Sequence, residues 1–323
     1  MRLPLSLVTS QFFVFDSVEE LLRALGSSIS AIERVQISDL ASRGLPPVTS
    51  KQTLSVMFGL NPGLIWSILN RPAKHYRNFE IPKGRSVRSI DAPRVALKII
   101  QKWLSVQLQN VYAPPDHVFG FVPGRSHIKA AKRHVNSEWV FSVDVRNFFP
   151  STPRLLVSLA LTKVGFTADS AEIISRIACL RETLAQGAPT SPVLSNMCFD
   201  EIDKSLQNLA TTYGANLTRY ADDIVFSGVG VFPDALRLAV SELFQDGPWR
   251  LSASKTELSI LPGRLKVHGL LVHGANIRLT KGYRNRLRAY KHLLCVGRVR
   301  PSDVKVLKGH LAYSNSVDRE VVG

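Results

Sequence analysis

Apolar residues recur along this chain with two different periods, and the places where the period changes mark its elements. Within residues 17–40, Val18, Leu21, Leu22 and Leu25 have loosely helical spacing, and Gly44-Leu45-Pro46-Pro47 then breaks the pattern. Leu54 to Leu69 reads as two short helices parted at Asn61-Pro62-Gly63. A strand pair follows, Phe79 to Pro82 and Ser86 to Asp91, joined at Lys83-Gly84-Arg85. Leu97, Ile100, Trp103, Leu104 and Leu108 predict an amphipathic helix over Val95 to Val111. The unbroken run Glu138 to Val145 predicts a buried strand carrying Asp144 near its end. Helices are predicted from Pro153 to about Val164, near 171–179 and from about Val193 to Leu209. Strands are predicted at Asn216 to Tyr220, at Ile224 to Ser227 and near 251–260 and 264–272, with helices near 280–296 and 301–313 after them.

The 323 residues, 45% of them hydrophobic, describe a globular chain with a substantial core. Charge adds a direction. The formal net charge is +16, and it is uneven: −1 over residues 1–50, +10 over 51–150, −3 over 151–250 and +10 over 251–323. Two basic regions flank an acidic one, which suits a nucleic-acid channel with basic walls and a cation-binding centre. The cysteines Cys179, Cys198 and Cys295 are too scattered for a zinc site or a disulfide framework and fit a reducing, cytoplasmic setting. The uncharged run from Leu3 to Phe15 is short for a membrane span and lacks a clear cleavage site after it.

Candidate chemistry centres on "TRYADDIVFSG", residues 218–228, where Asp222 and Asp223 stand side by side between two predicted strands. Adjacent carboxylates repel, and Asp is depleted from strands, so something must compensate them. A divalent cation does so, because Mg²⁺ takes a few carboxylates and completes its shell with phosphate and water. Asp144, at the end of the apolar run "VFSVDV", is the third acid expected to converge there.

Taken in order, "FSVDVRNFFPS" (141–151), "LAQGAPTSPVLSN" (184–196) and "TRYADDIVFSG" resemble the polymerase motifs of reverse transcriptases of the bacterial retron and group II intron kind. Arg88, Ile90 and Pro93, in an Arg-x-Ile-x-x-Pro element, and "GFVPGRSH" (120–127) extend the resemblance to about residues 50–315. It implies an α+β, right-hand polymerase fold: an N-terminal extension over 1–47, fingers and palm with an antiparallel sheet over 48–270, and a small helical thumb over 271–323. It also implies two Mg²⁺ ions, replaceable by Mn²⁺, held by Asp144 and Asp222 with support from Asp223. By the same resemblance Phe149 is the gate beneath the sugar, Gln186 contacts the incoming dNTP, and Arg88 grips the triphosphate. Lys255 matches the lysine that protonates pyrophosphate, and Arg125 is assigned to nucleotide or nucleic-acid contact in general.

The short stretch after Val272 and the end "LKGHLAYSNSVD" (307–318) resemble retron enzymes in particular. Two elements depart from that pattern. Ala130-Ala131-Lys132-Arg133-His134 stands for the usual Asn-Ala-x-x-His, and Val267-His268-Gly269 for Val-Thr-Gly. The retron resemblance implies a structured noncoding RNA as template and primer, a branched RNA–DNA product (msDNA) started from an RNA 2′-hydroxyl, and anti-phage defence with a separate effector protein. A group II intron-derived or other defence reverse transcriptase is the alternative enzyme, and an RNA-binding scaffold on a polymerase fold is the alternative without catalysis. One further expectation comes from helical geometry. At about 100° per residue, Lys281, Arg284, Arg288 and Lys291 share an arc of roughly 80° for nucleic-acid contact. Tyr283, Leu287, Tyr290 and Leu294 fall in a separate apolar arc of roughly 60°.

Overall fold

The computed structural model describes residues 4–84 and 86–322. Arg85, in the expected turn of the first strand pair, and Leu3, at the start of the apolar N-terminal run, lie outside the described residues. The chain divides into two compact units, residues 1–115 with 147–201 and residues 116–146 with 202–323.

The first unit is mainly helical. Its helices Val18–Leu25 and Ala31–Ser42 replace the single periodic stretch read over 17–40, because Gly26 takes a positive φ of 50° and Ser30 caps the second helix through the amide of Glu33. Leu21, Leu40, Leu45 and Val48 pack into one core with Met57, Trp103 and Ile174, so the N-terminal residues share the core of this unit. Lys51–Phe58 and Pro62–Asn70 are the two short helices, the second with Asn61 as its cap and Pro62 in its first turn. Val95–Val111 forms as read, burying Leu97, Ile100, Trp103, Leu104 and Leu108. Tyr76–Lys83 and Ser86–Pro93 pair antiparallel over a longer span than expected. Arg154–Val164 and Ala168–Ala178 follow, and then a small hairpin, Cys179–Leu180 with Thr183–Leu184, that the periodicity does not announce.

The second unit is built on a four-stranded antiparallel sheet in the order Asn216–Tyr220, Asp223–Gly228, Trp139–Asp144, Glu257–Ile260. The strand read near 251–260 is shortened, since Ala253–Lys255 winds into a 3₁₀ turn before Glu257. The one near 264–272 is a tight hairpin, Lys266–Val267 with Leu270–Leu271, extended by Arg278–Leu279. Asp234–Leu243 is a helix that the periodicity reading missed, with Leu236 and Val240 buried four residues apart. Helix Lys281–Cys295 matches its expectation, while Pro301–Val322 runs past 313 because Val317 adds one more buried apolar position. Among the described residues no helix is long and apolar enough to cross a membrane.

Candidate active site

The strands Asn216–Tyr220 and Asp223–Gly228 are joined by a two-residue turn, Ala221-Asp222, with Tyr220 paired to Asp223. Ala221 has a φ of 60° while Asp222 does not reach positive φ, the pattern of a type II′ hairpin turn normally given to glycine. Its surroundings hold it there. Arg219 Nη1 donates to the Ala221 carbonyl at 3.0 Å, and the Val145 amide donates to the Asp222 carbonyl at 2.9 Å. From the other side Gly120 lies against the turn so closely that a Cβ there would meet the Ala221 nitrogen at 2.1 Å. Only glycine fits that approach.

Arg219 is itself fixed by a pair of bonds to Asp203, Nε to Oδ1 at 2.6 Å and Nη2 to Oδ2 at 2.5 Å, and both side chains are fully buried. This two-point geometry is what a planar guanidinium offers a carboxylate. Next to it, His134 bridges the strands Asn216–Tyr220 and Asp223–Gly228, with Nδ1 2.7 Å from the Ser227 hydroxyl and Nε2 2.7 Å from that of Thr218. Burial, aided by His268, pushes the His134 imidazole down to about 3, so it is neutral at physiological pH.

The carboxylates stand on this frame. Asp144 and Asp223 are directly opposite each other across the strand pair, where like charges destabilise a sheet. Burial raises the Asp144 carboxyl above the usual range, and the charges of Asp222 and Asp223 add to the rise. Lys255 opposes it, donating from Nζ to Asp144 Oδ2 at 2.5 Å. Burial works to lower the Lys255 ammonium, but the bond to Asp144 and the charges of Asp222 and Asp223 outweigh it and hold it above its usual range. Thus an ammonium already sits where the acids attract positive charge. All three acids are oxygen donors, the set a hard divalent cation prefers. Among the described residues no three acidic, His or Cys side chains are gathered as a ready-made cage.

The remaining expected residues lie elsewhere. Arg125, in the second unit, donates from Nη1 to the Val118 carbonyl at 2.6 Å and so ties the loop that carries Gly120. Arg88, Phe149 and Gln186 belong to the first unit. There the Asp91 amide donates to the Gln186 carbonyl at 2.9 Å, which fastens the loop 184–190 to the strand that carries Arg88. Gly187 makes this possible: its φ is 130°, and a Cβ would meet the Asp91 carbonyl oxygen at 2.8 Å. Phe149 is half-buried beside Phe148, their ring centroids 5.8 Å apart. Lys281, Arg284, Arg288 and Lys291 are all exposed on their helix, while Leu287 is buried.

Residues 81–259 match the family described as reverse transcriptase (RNA-dependent DNA polymerase). The retron Mx65 reverse transcriptase of Myxococcus xanthus is 30% identical over 299 residues, covering 85% of this chain and 69% of that protein. The chain belongs to the retron reverse transcriptases. The retron Ec86 enzyme of Escherichia coli is 25% identical over 285 residues, covering 86% of this chain and 88% of its own. Among solved structures, a foamy viral protease-reverse transcriptase in complex with double-stranded DNA is similar at a TM-score of 0.44 and 13% identity, over 92% of this chain and 51% of that one. Reverse transcriptases generally use divalent metal ions, and the oxygen-only set Asp144, Asp222 and Asp223 is consistent with that chemistry. The enzyme is an RNA-directed DNA polymerase, and its helices and antiparallel sheets make it an α+β protein. Sequence reasoning singled out Asp144, Asp222 and Asp223 as candidates, but it missed how Gly120, Asp203 and Arg219 hold the turn that carries Asp222 and leads into Asp223.

Proposed function

We propose that this reverse transcriptase copies part of a structured noncoding RNA, made from its own locus, into a branched RNA–DNA primed from an RNA 2′-hydroxyl. It works in the cytoplasm, in anti-phage defence beside a separate effector protein. In this reading residues 1–47 are an N-terminal extension, 48–270 fingers and palm, and 271–323 the thumb. The observation that carries the chemistry is the opposition of Asp144 and Asp223 beside a turn whose backbone is tied on three sides. No structural purpose explains carboxylates placed so, since each costs the sheet stability.

Mg²⁺, when bound, lowers the pKa of the attacking hydroxyl and neutralises the triphosphate. Asp144 and Asp222 would hold two such ions, with Asp223 supporting them. Lys255, whose Nζ donates to Asp144 in the free enzyme, is the ammonium that can deliver a proton to departing pyrophosphate. Arg88 binds the triphosphate and Gln186 the incoming dNTP, and the bond between the Gln186 loop and Asp91 supports placing them on one rigid support. Arg125 contacts nucleotide or nucleic acid from a loop it also keeps in shape. Phe149 lies under the sugar, so Phe149→Ala lowers the ratio of kcat/KM for dNTP to that for rNTP, read in single-nucleotide incorporation. An unchanged ratio in folded protein assigns Phe149 to the core alone.

Sequencing the nucleic acid that copurifies with the enzyme tests the RNA. A DNA strand joined to an internal RNA 2′-hydroxyl is the expected product. Linear DNA from unrelated templates contradicts the retron reading and supports a group II intron-like or other defence enzyme.

A further inference from the structure

The strands Lys266–Val267 and Leu270–Leu271 are joined by His268 and Gly269, both at positive φ, 49° and 83°. This is a type I′ hairpin, and a β-branched residue at its first position is strained, whereas His enters that region more readily. The turn therefore suits His better than the threonine that the retron resemblance leads one to expect. Its imidazole is nearly closed off, with 7% of the side chain exposed, and its ring lies 5.3 Å from that of Tyr220. Nε2 is buried without a hydrogen-bond partner. Nδ1 instead faces the Asp223 carboxylate, 3.7 Å from Oδ2.

Asp223 needs such a neighbour. Its side chain is 52% exposed, and it stands opposite Asp144 and next to Asp222 in sequence. Repulsion drives a carboxylate in that position toward solvent. The ring of His268 has little freedom to follow it, because the hairpin and Tyr220 confine it. We infer that His268 is a positioning residue which, through Nδ1, keeps the Asp223 carboxylate turned toward its fellow acids. The inference rests on the reading of these acids as the metal site.

The test compares three variants in the full-length enzyme, with Mn²⁺ binding read by electron paramagnetic resonance and folding checked by thermal unfolding. Gly and Asn both tolerate the turn's positive φ. His268→Gly removes the ring, His268→Asn keeps a donor near the Nδ1 position, and His268→Gln moves it toward the Nε2 position. Loss of this 3.7 Å electrostatic contact weakens Mn²⁺ binding by roughly two- to fivefold, which is expected for His268→Gly and His268→Gln. His268→Asn retains wild-type affinity. Wild-type Mn²⁺ binding by His268→Gly, or equal weakening by His268→Asn, overturns the inference. So does a loss of primer affinity with Mn²⁺ binding unchanged, which makes His268 a primer contact. Asp222→Asn serves as the separate control: if it binds Mn²⁺ as tightly as the wild type, the metal reading itself fails.

Discussion

The hairpin that carries Asp222 and Asp223 and the basic C-terminal helix belong to the same unit, but they hold their charge in opposite ways. Behind the hairpin, Arg219 and Asp203 are fully buried and joined at two points, and His134 is sealed between Thr218 and Ser227. On the helix Lys281–Cys295 the cations Lys281, Arg284, Arg288 and Lys291 face solvent. Buried charges fix a position, because each must meet its partner in one geometry or leave an unsolvated ion behind. Exposed charges create a field and tolerate movement. Positioning chemistry and gripping a polyanion thus call for different placements of the same residue types.

The comparison breaks most severely at Asp203. Asp203→Asn leaves the Arg219 guanidinium buried without its counter-charge, and unfolding by urea should show a loss of about 3–5 kcal/mol. A loss of less than about 1 kcal/mol contradicts the assignment of the pair as the anchor of the turn.

His134 offers a test through pH. Its pKa is about 3 in the folded protein against an ordinary 6.5, so the unfolded chain binds a proton over that interval and the folded one does not. Its contribution to stability is complete above pH 6.5 and is lost as the pH falls toward 3, at up to about 1.4 kcal/mol per pH unit. His134→Asn should therefore show a shallower fall in stability between pH 6.5 and 4 than the wild type, measured by urea unfolding at each pH. Parallel curves contradict a neutral, buried His134.

The smallest effect on the fold is expected at the helix. Replacing Lys281, Arg284, Arg288 and Lys291 together by Ala should leave the Tm nearly unchanged, since exposed charges contribute little to stability. RNA binding should weaken for all sequences, and the slope of log K against log[salt] should flatten by up to about 3. An unchanged slope with intact folding places the RNA elsewhere.

The two regions also differed in how far sequence revealed them. The helix was legible in both its faces, because periodicity alone sorts exposed from buried residues: Leu287 is buried and the four cations are not. At the hairpin, sequence revealed the strands and the acids but not what holds them. Gly120 is a hundred residues from the backbone it touches, and no local pattern announces such an approach. Asp203 did leave a trace. It shares a helical face with Phe199, Leu206 and Ala210, all buried, and an acid on an apolar stripe demands a buried cation. His134 and His268 stood out as parts of motifs that depart from the retron pattern. Their actual surroundings, Thr218 with Ser227 for one and Asp223 for the other, follow from tertiary pairing that spacing does not encode.

Asp222→Asn decides whether Asp144, Asp222 and Asp223 form a metal-dependent polymerase centre. The substitution removes one charge at almost constant volume from a turn whose bond to Val145 uses only the Asp222 backbone carbonyl. Incorporation of dTTP on poly(rA)/oligo(dT) with Mg²⁺ should be lost, with RNA affinity in a parallel binding assay close to that of the wild type. Substantial incorporation by folded Asp222→Asn contradicts the account.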